Sequence, residues 1–476
     1  MMNSKLPCLV WFREDLRLSD NPALTAAKES GAPIIPVFIW DREKAPWQEG
    51  SASKAWLHHS LLSLEKSLQK RGCPLLIQTG DPLSVISHIM KKTGAKSVFW
   101  NRLYEPYFIK RDAEIEKKCK QEGYHVETFQ ASLWFAPEEI LSKDGKPYRV
   151  FTPFWKACQK SFPLDPPLPA PKKLTSYSGS VSGVSIEKLH LLPKIHWEKN
   201  FFPFWKIGED NAKAKLDSFL KTKLKEYVTQ RDFPAEEGGS YLSPHLHFGE
   251  ISPRQIWHIC QGISKAEPFL RQIAWREFAH HLLYFFPYTQ NKALRENFNS
   301  FPWKKNSKLL QKWQKGTTGY PIVDAGMRQL WKTGWMHNRV RMIVASFLVK
   351  DLMIPWQEGA KWFWDTLVDA DLANNTLGWQ WVAGCGADAA PYFRIFNPVL
   401  QGEKFDPDGD YVRTYVPEIA SLPSKWIHKP WQAPLDVLKK SHIELGVTYP
   451  FPIVDHDTAR ANALKEYHAW VKHEKT

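Results

Sequence analysis

The segment that decides the fold reads TGYPIVDAGMRQLWKTGWMHNRVRMIVASFLVKDLMIPW over residues 318–356 and VDADLANNTLGWQWVAGCGADAAPYFRIFNPVLQG over residues 368–402. Tryptophans, arginines, aspartates and an Asn-Asn step are set into apolar patterns of helical spacing. Asn338, Arg341 and Met342 occur at i, i+3 and i+4, so they share one face of a helix predicted over residues 336–352. Such a segment could hold an aromatic redox cofactor beside a nucleic-acid surface, or Met342 could be a core residue and the arginines solvated.

Two aspartates follow in an apolar stretch, for which the spacing predicts a helix over residues 363–373. Asp369 or Asp371 needs a partner if it is buried, and Arg341 is the candidate. A structural ion pair explains this as well as a carboxylate that accepts from the imide N–H of a flavin. Trp379 and Trp381 diverge by roughly 200° on a helix, since each residue turns about 100°. The two rings therefore cannot line the same pocket from the same side.

The first part of the chain alternates between strand and helix patterns. Apolar runs predict strands at residues 9–12, 33–40, 75–77, 97–100 and 125–129, and helical spacing predicts helices at 21–30, 55–70, 82–93 and 110–122. Alternation of this kind predicts a parallel sheet covered on both faces. We expect an α/β domain over residues 5–130, a long linker over 131–205 and an all-helical domain over 206–476. Arg13-Glu14-Asp15 follows the first strand, so the glycine-rich turn of a dinucleotide-binding Rossmann domain is absent.

Charge and cysteine content narrow the classes of function. The 64 basic and 50 acidic side chains give a formal charge of +14, which fits either a polyanionic partner or an ordinary basic protein. The 6 cysteines form no CxxC and no metal-ligand spacing with histidine, so we predict reduced thiols in a cytoplasmic protein and no metal site. No apolar run approaches the length of a membrane-spanning helix.

Two further motifs are each open to two interpretations. The GGSYLSP stretch over residues 238–244 could cradle a phosphate just before a helix, or could be an ordinary capped turn. Trp275-Arg276-Glu277-Phe278 predicts the start of a helix. The tryptophan could stack on a nucleobase while the arginine pairs with a phosphate, or it could be a core residue.

Taken together, these segments resemble the photolyase/cryptochrome family. The resemblance extends from VWFREDLRLSDNPAL at residues 10–24 to PIVDH at residues 452–456, and within the family it is strongest to bacterial members that repair cyclobutane pyrimidine dimers. It implies a helical domain that binds FAD through a set of polar, apolar and charged residues: Tyr227, Ser240, Tyr241, Leu242, Ser243, Phe269, Arg276, His337, Arg341, Asp369, Ala370, Asp371 and Asn375.

The resemblance also implies a light-driven carbon–carbon lyase reaction. Excited reduced FAD would donate an electron to a dimer flipped out of DNA, without a nucleophile or general base. The residues implied in the reaction are the tryptophan relay Trp303, Trp356 and Trp379, with Asn375 opposite the flavin N5, Gln272 and Asn338. The residues implied in contacts to the lesion or DNA are Arg231, Gln272, Trp275, Asn338, Arg339, Met342, Trp381 and Gln401.

Some positions qualify what the resemblance implies. Gln272 stands where dimer-repairing members usually carry glutamate, and Phe269 where some carry tryptophan. Asn338 and Met342 stand where enzymes acting on (6-4) photoproducts need histidines, which favours cyclobutane dimers as the substrate. Residues 101–106 follow the fourth predicted strand, where the family builds its antenna pocket. They imply an antenna of the methenyltetrahydrofolate type or a deazaflavin.

Two other functions remain open at this point. The first is a cryptochrome-type blue-light photoreceptor with the same flavin site. The second is a non-catalytic flavoprotein that binds single-stranded nucleic acid, against which the retained Asn338, Trp275, Trp381 and Asn375 argue. We expect damaged DNA to be the partner, and neither a membrane nor a protein partner. We expect the protein to be a monomer.

Overall fold

The computed structural model of the chain describes residues 6–41 and 45–473. Strands and helices alternate first: β1 Cys8–Phe12, α1 Pro22–Glu29, β2 Ile34–Trp40, α2 Ser51–Gln69, β3 Leu76–Thr79, α3 Pro82–Thr93, β4 Ser97–Asn101, α4 Pro106–Gln121, β5 His125–Phe129 and α5 Phe151–Ser161. Helices follow: α6 Glu209–Thr222, α7 Tyr227–Gln230, α8 Ser243–His247, α9 Pro253–Cys260, α10 Glu267–Phe285, α11 Ser307–Gln314, α12 Pro321–Thr333, α13 Asn338–Ser346, α14 Trp356–Thr366, α15 Leu372–Ala383, α16 Pro398–Phe405, α17 Asp410–Tyr415, α18 Ser424–Ile427, α19 Leu435–Lys440 and α20 His456–His473. Among the described residues, no helix is long and apolar enough to span a bilayer.

The chain divides into two compact units that interleave along the sequence. Unit 1 comprises residues 1–198, 205–222 and 240–287, and unit 2 comprises residues 199–204, 223–239 and 288–476. Within the range 131–205, which the sequence predicts as a linker, the chain forms α5 and buries Phe151, Phe154, Trp155 and Cys158.

Unit 1 contains a five-stranded parallel sheet in the order β3-β2-β1-β4-β5. All residues of β1 are buried, as expected for a central strand with helices on both faces. The predicted α/β fold class is confirmed, because each predicted strand lies in this sheet and the helices between them are present. Asn21 caps α1 by accepting from the Leu24 backbone N–H at 3.1 Å, which explains where that helix begins.

The turn after β1 is held by charged and amide side chains where a Rossmann domain would have glycines. Arg13 donates to Asp112 and to the backbone oxygen of Asn101. The Asn101 amide donates to Asp15 at 2.5 Å and to Asn21 at 2.8 Å. This buried network leaves no open backbone turn for a pyrophosphate.

Unit 2 is built mainly from α11 to α20. Several helix boundaries in the two units differ from those predicted, among them the starts of α2 at Ser51 and α4 at Pro106, which lie ahead of the predicted residues 55 and 110. α10 begins at Glu267, ahead of the predicted start at Trp275. The predicted helix over residues 336–352 is α13 followed by a π-helical turn at Phe347–Asp351. The predicted helix over residues 363–373 was wrong: α14 ends at Thr366, and the Val368 N–H donates to the Gly334 oxygen at 2.7 Å.

The break before α15 has a local cause. Asp371 has an extended backbone, and its carboxylate accepts from the Asn374 N–H at 2.7 Å, so it is the N-cap of α15. Aspartate is among the strongest N-cap residues, because its oxygen satisfies an N–H that has no partner within the helix. The capping preference of one residue therefore overrides the apolar spacing across the break.

Candidate functional site

The residues implied in cofactor and DNA binding are divided between the two units. Unit 1 holds Ser240, Tyr241, Leu242, Ser243, Phe269, Gln272, Trp275 and Arg276. Unit 2 holds Tyr227, Arg231, Trp303, His337, Asn338, Arg339, Arg341, Met342, Trp356, Asp369, Ala370, Asp371, Asn375, Trp379, Trp381 and Gln401.

In unit 2, Arg341 binds Asp369, as the sequence predicts. The Arg341 Nη2 lies 2.8 Å from Asp369 Oδ2 and 3.0 Å from Oδ1, and its Nε donates to the Met336 oxygen at 2.8 Å. The Asp369 side chain is buried, while Arg341 is half-buried. The pair holds a cation and a carboxylate on the helical framework, and each carboxylate oxygen keeps a lone pair for a further donor.

Asn375 lies on α15, in the first turn after the Asp371 cap. Its Nδ2 donates to the Ala360 oxygen of α14 at 3.0 Å, which fixes the orientation of the amide. With the amide held in this orientation, its Oδ1 can accept a hydrogen bond from a ligand, and the amino group keeps a second N–H. An acceptor at this position fits an N–H of a reduced flavin, so the residues present fit the cofactor that the sequence resemblance implies.

Trp379 is buried one helical turn beyond Asn375. It packs edge-on against Trp313 at 6.2 Å and Phe363 at 5.0 Å between ring centroids. A Cβ added to Gly359 of α14 would overlap the indole, so the close approach of α14 to α15 depends on that glycine. Among the described residues, no group accepts a hydrogen bond from the Trp379 Nε1.

The other members of the predicted relay differ in exposure. Trp356 is buried at the start of α14, whereas Trp303 is partly exposed and packs on Phe301 at 4.5 Å. Trp381 is partly exposed on α15, in contrast to the buried Trp379. The predicted divergence of these two rings is therefore confirmed, while the electron-transfer role of the relay stays a prediction.

Two arginines implied in DNA contacts lie beside one carboxylate. Asp232 Oδ2 is 2.9 Å from Arg339 Nη2, and its Oδ1 is 3.9 Å from Arg231 Nε. The Arg339 guanidinium also lies 4.3 Å from the centre of the Phe405 ring. Any phosphate would compete with Asp232 for these guanidinium groups, and the sequence reading did not include this competitor.

His337 and Tyr227 are buried, and both have an evident structural role. The His337 Nδ1 accepts from the Arg339 N–H at 3.2 Å, which caps α13. Burial lowers the pKa of His337 to about 4, so the ring is neutral at physiological pH. Burial raises the pKa of Tyr227, whose ring lies 5.3 Å from the Arg231 guanidinium. Asn338, Arg341 and Met342 share one helix, α13, as predicted.

In unit 1, Gln272 and Trp275 lie at i and i+3 on α10 and are partly exposed. The ring of Phe151 stacks on Trp275 with centroids 3.8 Å apart and planes 5° apart. One face of the indole is therefore covered by protein, and a base can stack only on the other. Arg276 is buried and donates to the Ser132 oxygen at 2.7 Å, which anchors α10.

Residues 240–243 form the predicted turn before α8, and α8 has only 5 residues. Tyr241 has φ +54°, which holds the turn in a left-handed conformation, and its ring faces the Lys215 ammonium at 5.1 Å. Leu242 is buried and Ser243 is exposed. Phe269 is buried against Phe219 at 4.8 Å. The phosphate-binding role of this turn stays a prediction.

Glu277 lies buried on α10, next to Arg276. Its Oε2 accepts from the Trp134 N–H at 2.7 Å, and its Oε1 is 3.7 Å from Arg276 Nη1. Burial raises the pKa of Glu277 to about 8, although Arg276 and the N–H groups of Trp134 and Phe135 lower it. The carboxyl is therefore mostly protonated at neutral pH.

We expect Glu277→Gln to stabilise the protein increasingly as the pH rises. A pKa raised in the folded state gives stability that is fully present below the ordinary value of 4.5 and is lost as pH rises toward about 8. The amide avoids that loss while keeping an acceptor for Trp134. The advantage in unfolding free energy should reach a few kcal/mol, since each pKa unit is worth about 1.4 kcal/mol. Denaturant unfolding at pH 5 and pH 8 measures it, and an advantage independent of pH would contradict the prediction.

Unit 1 also contains a cavity of about 320 Å³ at the carboxyl ends of the strands. Its lining includes Trp11 near the end of β1 and Arg13 directly after it, Trp40 at the end of β2, and Leu103 and Tyr107 after β4. β1 lies between β2 and β4, where the strand order reverses, and such a switch point is where open α/β sheets bind ligands. Asn101 itself is not in the lining, because its side chain belongs to the network around Asp15.

The sequence reading missed Phe151, Asp232 and Gly359 as partners of the predicted residues. Phe151 lies at the start of a helix in the predicted linker, and its apolar spacing with Phe154 and Trp155 was the available signal. Asp232 directly follows Arg231, but its contact with Arg339 joins residues 107 positions apart (339 − 232). No local pattern reports such a contact.

Comparisons with known proteins agree with this geometry. The family model for DNA photolyase matches residues 8–172, and that for the FAD binding domain of DNA photolyase matches residues 269–469. The chain is 51% identical to a deoxyribodipyrimidine photo-lyase of Agrobacterium fabrum, covering 97% of this chain and 98% of that protein. It is 42% identical to cryptochrome-2 of Arabidopsis thaliana, covering 95% and 77%. A crystal structure of a bacterial class III photolyase from Agrobacterium tumefaciens superposes with a TM-score of 0.96 at 49% identity, covering 99% of each chain.

Proposed function

Because the chain belongs to the DNA photolyase and cryptochrome family, we propose that it repairs cyclobutane pyrimidine dimers in DNA by light-driven electron transfer. The observation that carries this proposal is the 51% identity to a deoxyribodipyrimidine photo-lyase over nearly the full length of both chains. A bound, reduced FAD supplies the light-excited electron. The residues of this chain hold the cofactor, exclude water and present the lesion.

The roles that we assign in unit 2 follow from the contacts described above. Asn375 offers its Oδ1 as an acceptor to an N–H group, and the hydrogen bond from its Nδ2 to the Ala360 oxygen holds the amide in place. The Arg341–Asp369 pair lines the cofactor site with fixed charges. We assign to Trp379 the donation of an electron that restores the reduced state, and to the buried Trp356 and the partly exposed Trp303 the following steps of the relay. No residue needs to act as nucleophile or general base.

The roles in unit 1 concern the lesion. Trp275 offers one face to a flipped pyrimidine pair, and Gln272 lies one turn earlier on the same side of α10, where its Nε2 donates to the Pro268 oxygen at 3.4 Å. An amide can donate to a thymine carbonyl, as a protonated carboxylic acid can, but it adds no charge. Extrusion costs less for a damaged base pair than for an intact one, which contributes to selectivity.

The decisive experiment is a repair assay with purified, flavin-loaded protein. Dimer-containing oligonucleotide is incubated under blue light with the flavin fully reduced, and loss of the dimer is followed chromatographically, with a dark sample as control. We expect the dimer to disappear only in the light. No repair with a fully reduced flavin would favour the photoreceptor alternative, which the 42% identity to a plant cryptochrome keeps in view.

We expect Phe151→Leu to weaken binding of the lesion while repair chemistry continues. Leucine keeps an apolar side chain behind Trp275 but removes the stacked ring that holds the indole in place. An aromatic pair of this kind is worth about 0.5–1.5 kcal/mol, so the Kd for a dimer-containing oligonucleotide in the dark should rise up to about tenfold. Phe154→Leu is the matched control, since Phe154 packs on Phe278 and His281. Equal losses in both variants would contradict the role of Phe151.

We further propose that the cavity of unit 1 holds an antenna chromophore. Its lining combines flat rings, Trp11, Trp40 and Tyr107, with the charged groups of Arg13 and Arg111, which suits a planar, polar ring system. A folate of the methenyltetrahydro type and a deazaflavin both meet this description, and the absorption spectrum of the chromophore released from purified protein distinguishes them.

A pair of variants locates the antenna. Trp40→Ala should release the chromophore while flavin is retained, as measured by absorbance of the purified protein. Trp331→Ala tests a second possible position of the antenna. Trp331 is exposed, and its ring lies parallel to that of Trp362, with the ring centroids 6.2 Å apart and 5° between the planes. Retention in Trp40→Ala together with loss in Trp331→Ala would move the antenna to that pair.

We also propose that the protein works as a cytoplasmic monomer. All six cysteines are buried free thiols, which suits a reducing compartment. Light scattering coupled to gel filtration tests the oligomeric state.

A further inference from the structure

A run of exposed lysines directly follows the partly exposed Trp303 in the sequence. These are Lys304, Lys305, Lys308, Lys312 and Lys315, all exposed. No acidic residue occurs between Glu296 and Asp324, and Asp324 is buried, where it accepts hydrogen bonds from Thr318 and Tyr449. We call these five residues the lysine patch.

The fold keeps the lysine patch on the outside. Trp313 of α11 is fully buried and donates from Nε1 to the Val344 oxygen at 2.9 Å, which holds this helix against the core. Lys308 and Lys312 lie four residues apart on α11 and share an outer face. The Lys304 N–H donates to the Met353 oxygen at 2.8 Å, so the backbone next to Trp303 is also fixed.

The charge of the lysine patch is not compensated within the described chain. No carboxylate among residues 6–41 and 45–473 forms an ion pair with any of the five lysines. Elsewhere on the surface, lysines pair with a neighbouring glutamate, as Lys118 does with Glu114 and Lys120 with Glu116 on α4. A group of unpaired cations creates a local positive potential that concentrates anions and raises their rate of encounter.

We propose that the lysine patch gathers small anionic one-electron reductants at Trp303. The inference rests on the proposed function, in which Trp303 is the surface end of the relay. After Trp303 has lost one electron to the relay, it regains one from the anion, which leaves as its one-electron-oxidised radical. If the indole has also lost its N–H proton to water, water returns it.

The composition of the segment favours a small anion over nucleic acid. No arginine lies between Arg295 and Arg328, so the segment lacks the planar fork that fixes a phosphate in two hydrogen bonds. Lysine acts as a hydrated point charge on a flexible stem. Such groups attract an ion without holding it in one orientation. This suits an electron donor that must dissociate after it has transferred one electron.

The first test measures how strongly the lysine patch attracts small anions, and its readout does not depend on a cofactor. Tryptophans are replaced by 5-fluorotryptophan, and the ¹⁹F resonance of residue 303 is assigned by its loss in Trp303→Phe. We expect a carboxylate-bearing nitroxide to relax this resonance more than an ammonium-bearing nitroxide at low ionic strength. The order should reverse in K304E/K305E/K308E. Equal relaxation by the two probes would overturn the proposal.

The second test measures flavin photoreduction in the loaded protein with ascorbate as the anionic donor and dithiothreitol as the neutral one. In K304E/K305E/K308E the ascorbate-dependent rate at low salt should fall at least about tenfold, within the range of electrostatic steering. The difference should shrink as salt rises, and the rate with dithiothreitol should not change. The matched control is K117E/K118E/K120E on α4, which carries the same charge change and should behave as wild type.

The possible results distinguish the proposed role of the lysine patch from the proposed relay role of Trp303. Normal photoreduction in Trp303→Phe would remove the relay role of that residue and the electron-donor function of the lysine patch, while repair of dimers by prereduced protein would still stand. If K304E/K305E/K308E lost photoreduction rate equally with ascorbate and with dithiothreitol, electrostatic steering by the lysine patch would be overturned. The relay role of Trp303 would not be affected by that result. Weaker DNA binding in the triple variant with unchanged nitroxide relaxation would assign the lysines to nucleic acid.

Discussion

Trp379→Phe should lose most of its flavin photoreduction while keeping repair when the flavin is reduced chemically beforehand. Phenylalanine fills most of the space between Trp313 and Phe363, but its ring is far harder to oxidise than an indole. In the proposed relay the electron supply therefore stops at its first donor, whereas the residues of α10 that we propose bind the lesion are untouched. Stability should fall only by about 0.5–3 kcal/mol, as for other conservative changes in a core.

Absorbance under blue light with an external donor measures photoreduction, and the dimer assay with prereduced protein measures repair. Trp313→Phe is the control, since it removes another buried indole in contact with Trp379. We expect it to photoreduce nearly as wild type. Repair abolished in Trp379→Phe despite a confirmed reduced flavin would refute the relay role, and equal slowing in Trp313→Phe would attribute the effect to packing.

Asp369→Ala should both destabilise the protein and release flavin. Its loss leaves the Arg341 guanidinium without the carboxylate that binds it at 2.8 Å. Breaking a buried ion pair costs about 3–5 kcal/mol, and we expect the lower end because the Arg341 side chain is 24% exposed. Asp369→Asn should lose less stability, since the amide oxygen still accepts from Arg341, but it removes the charge.

Chemical denaturation and the ratio of flavin to protein absorbance measure the two effects. Glu358→Gln is the matched control on α14, because its partner Lys361 is exposed and such surface pairs contribute about 0–1 kcal/mol. Full flavin retention in Asp369→Ala, with the stability loss present, would limit this pair to a structural role.

Local chemistry made much of the fold predictable from the sequence. Central parallel strands are continuous apolar runs, and β5 and α3 occupy the predicted residues. The Arg341–Asp369 pair was also predictable, because a carboxylate in an apolar segment needs a cation and only a few are within reach. These inferences depend on periodicity and on the cost of burying charge.

What could not be predicted depends on contacts between distant residues. The stack of Phe151 on Trp275 joins two helices far apart in sequence, and the overlap of a Gly359 Cβ with Trp379 exists only once α14 and α15 pack. The break at residues 367–371 shows a different limit. The apolar spacing predicted one helix that continues across Asp371. The capping hydrogen bond of Asp371 instead starts a new helix at that position.

The indole nitrogen of Trp379 has no acceptor among the described residues, and in the proposed relay this bears on how an oxidised ring would lose its proton. An oxidised indole is much more acidic than a neutral one, and its N–H proton leaves fastest when an acceptor is already hydrogen-bonded to it. We therefore expect the proton to stay on Trp379 while the charge passes to another ring. Exchange of the solvent for D₂O should leave this earliest transfer unchanged and slow only events at the water-exposed end.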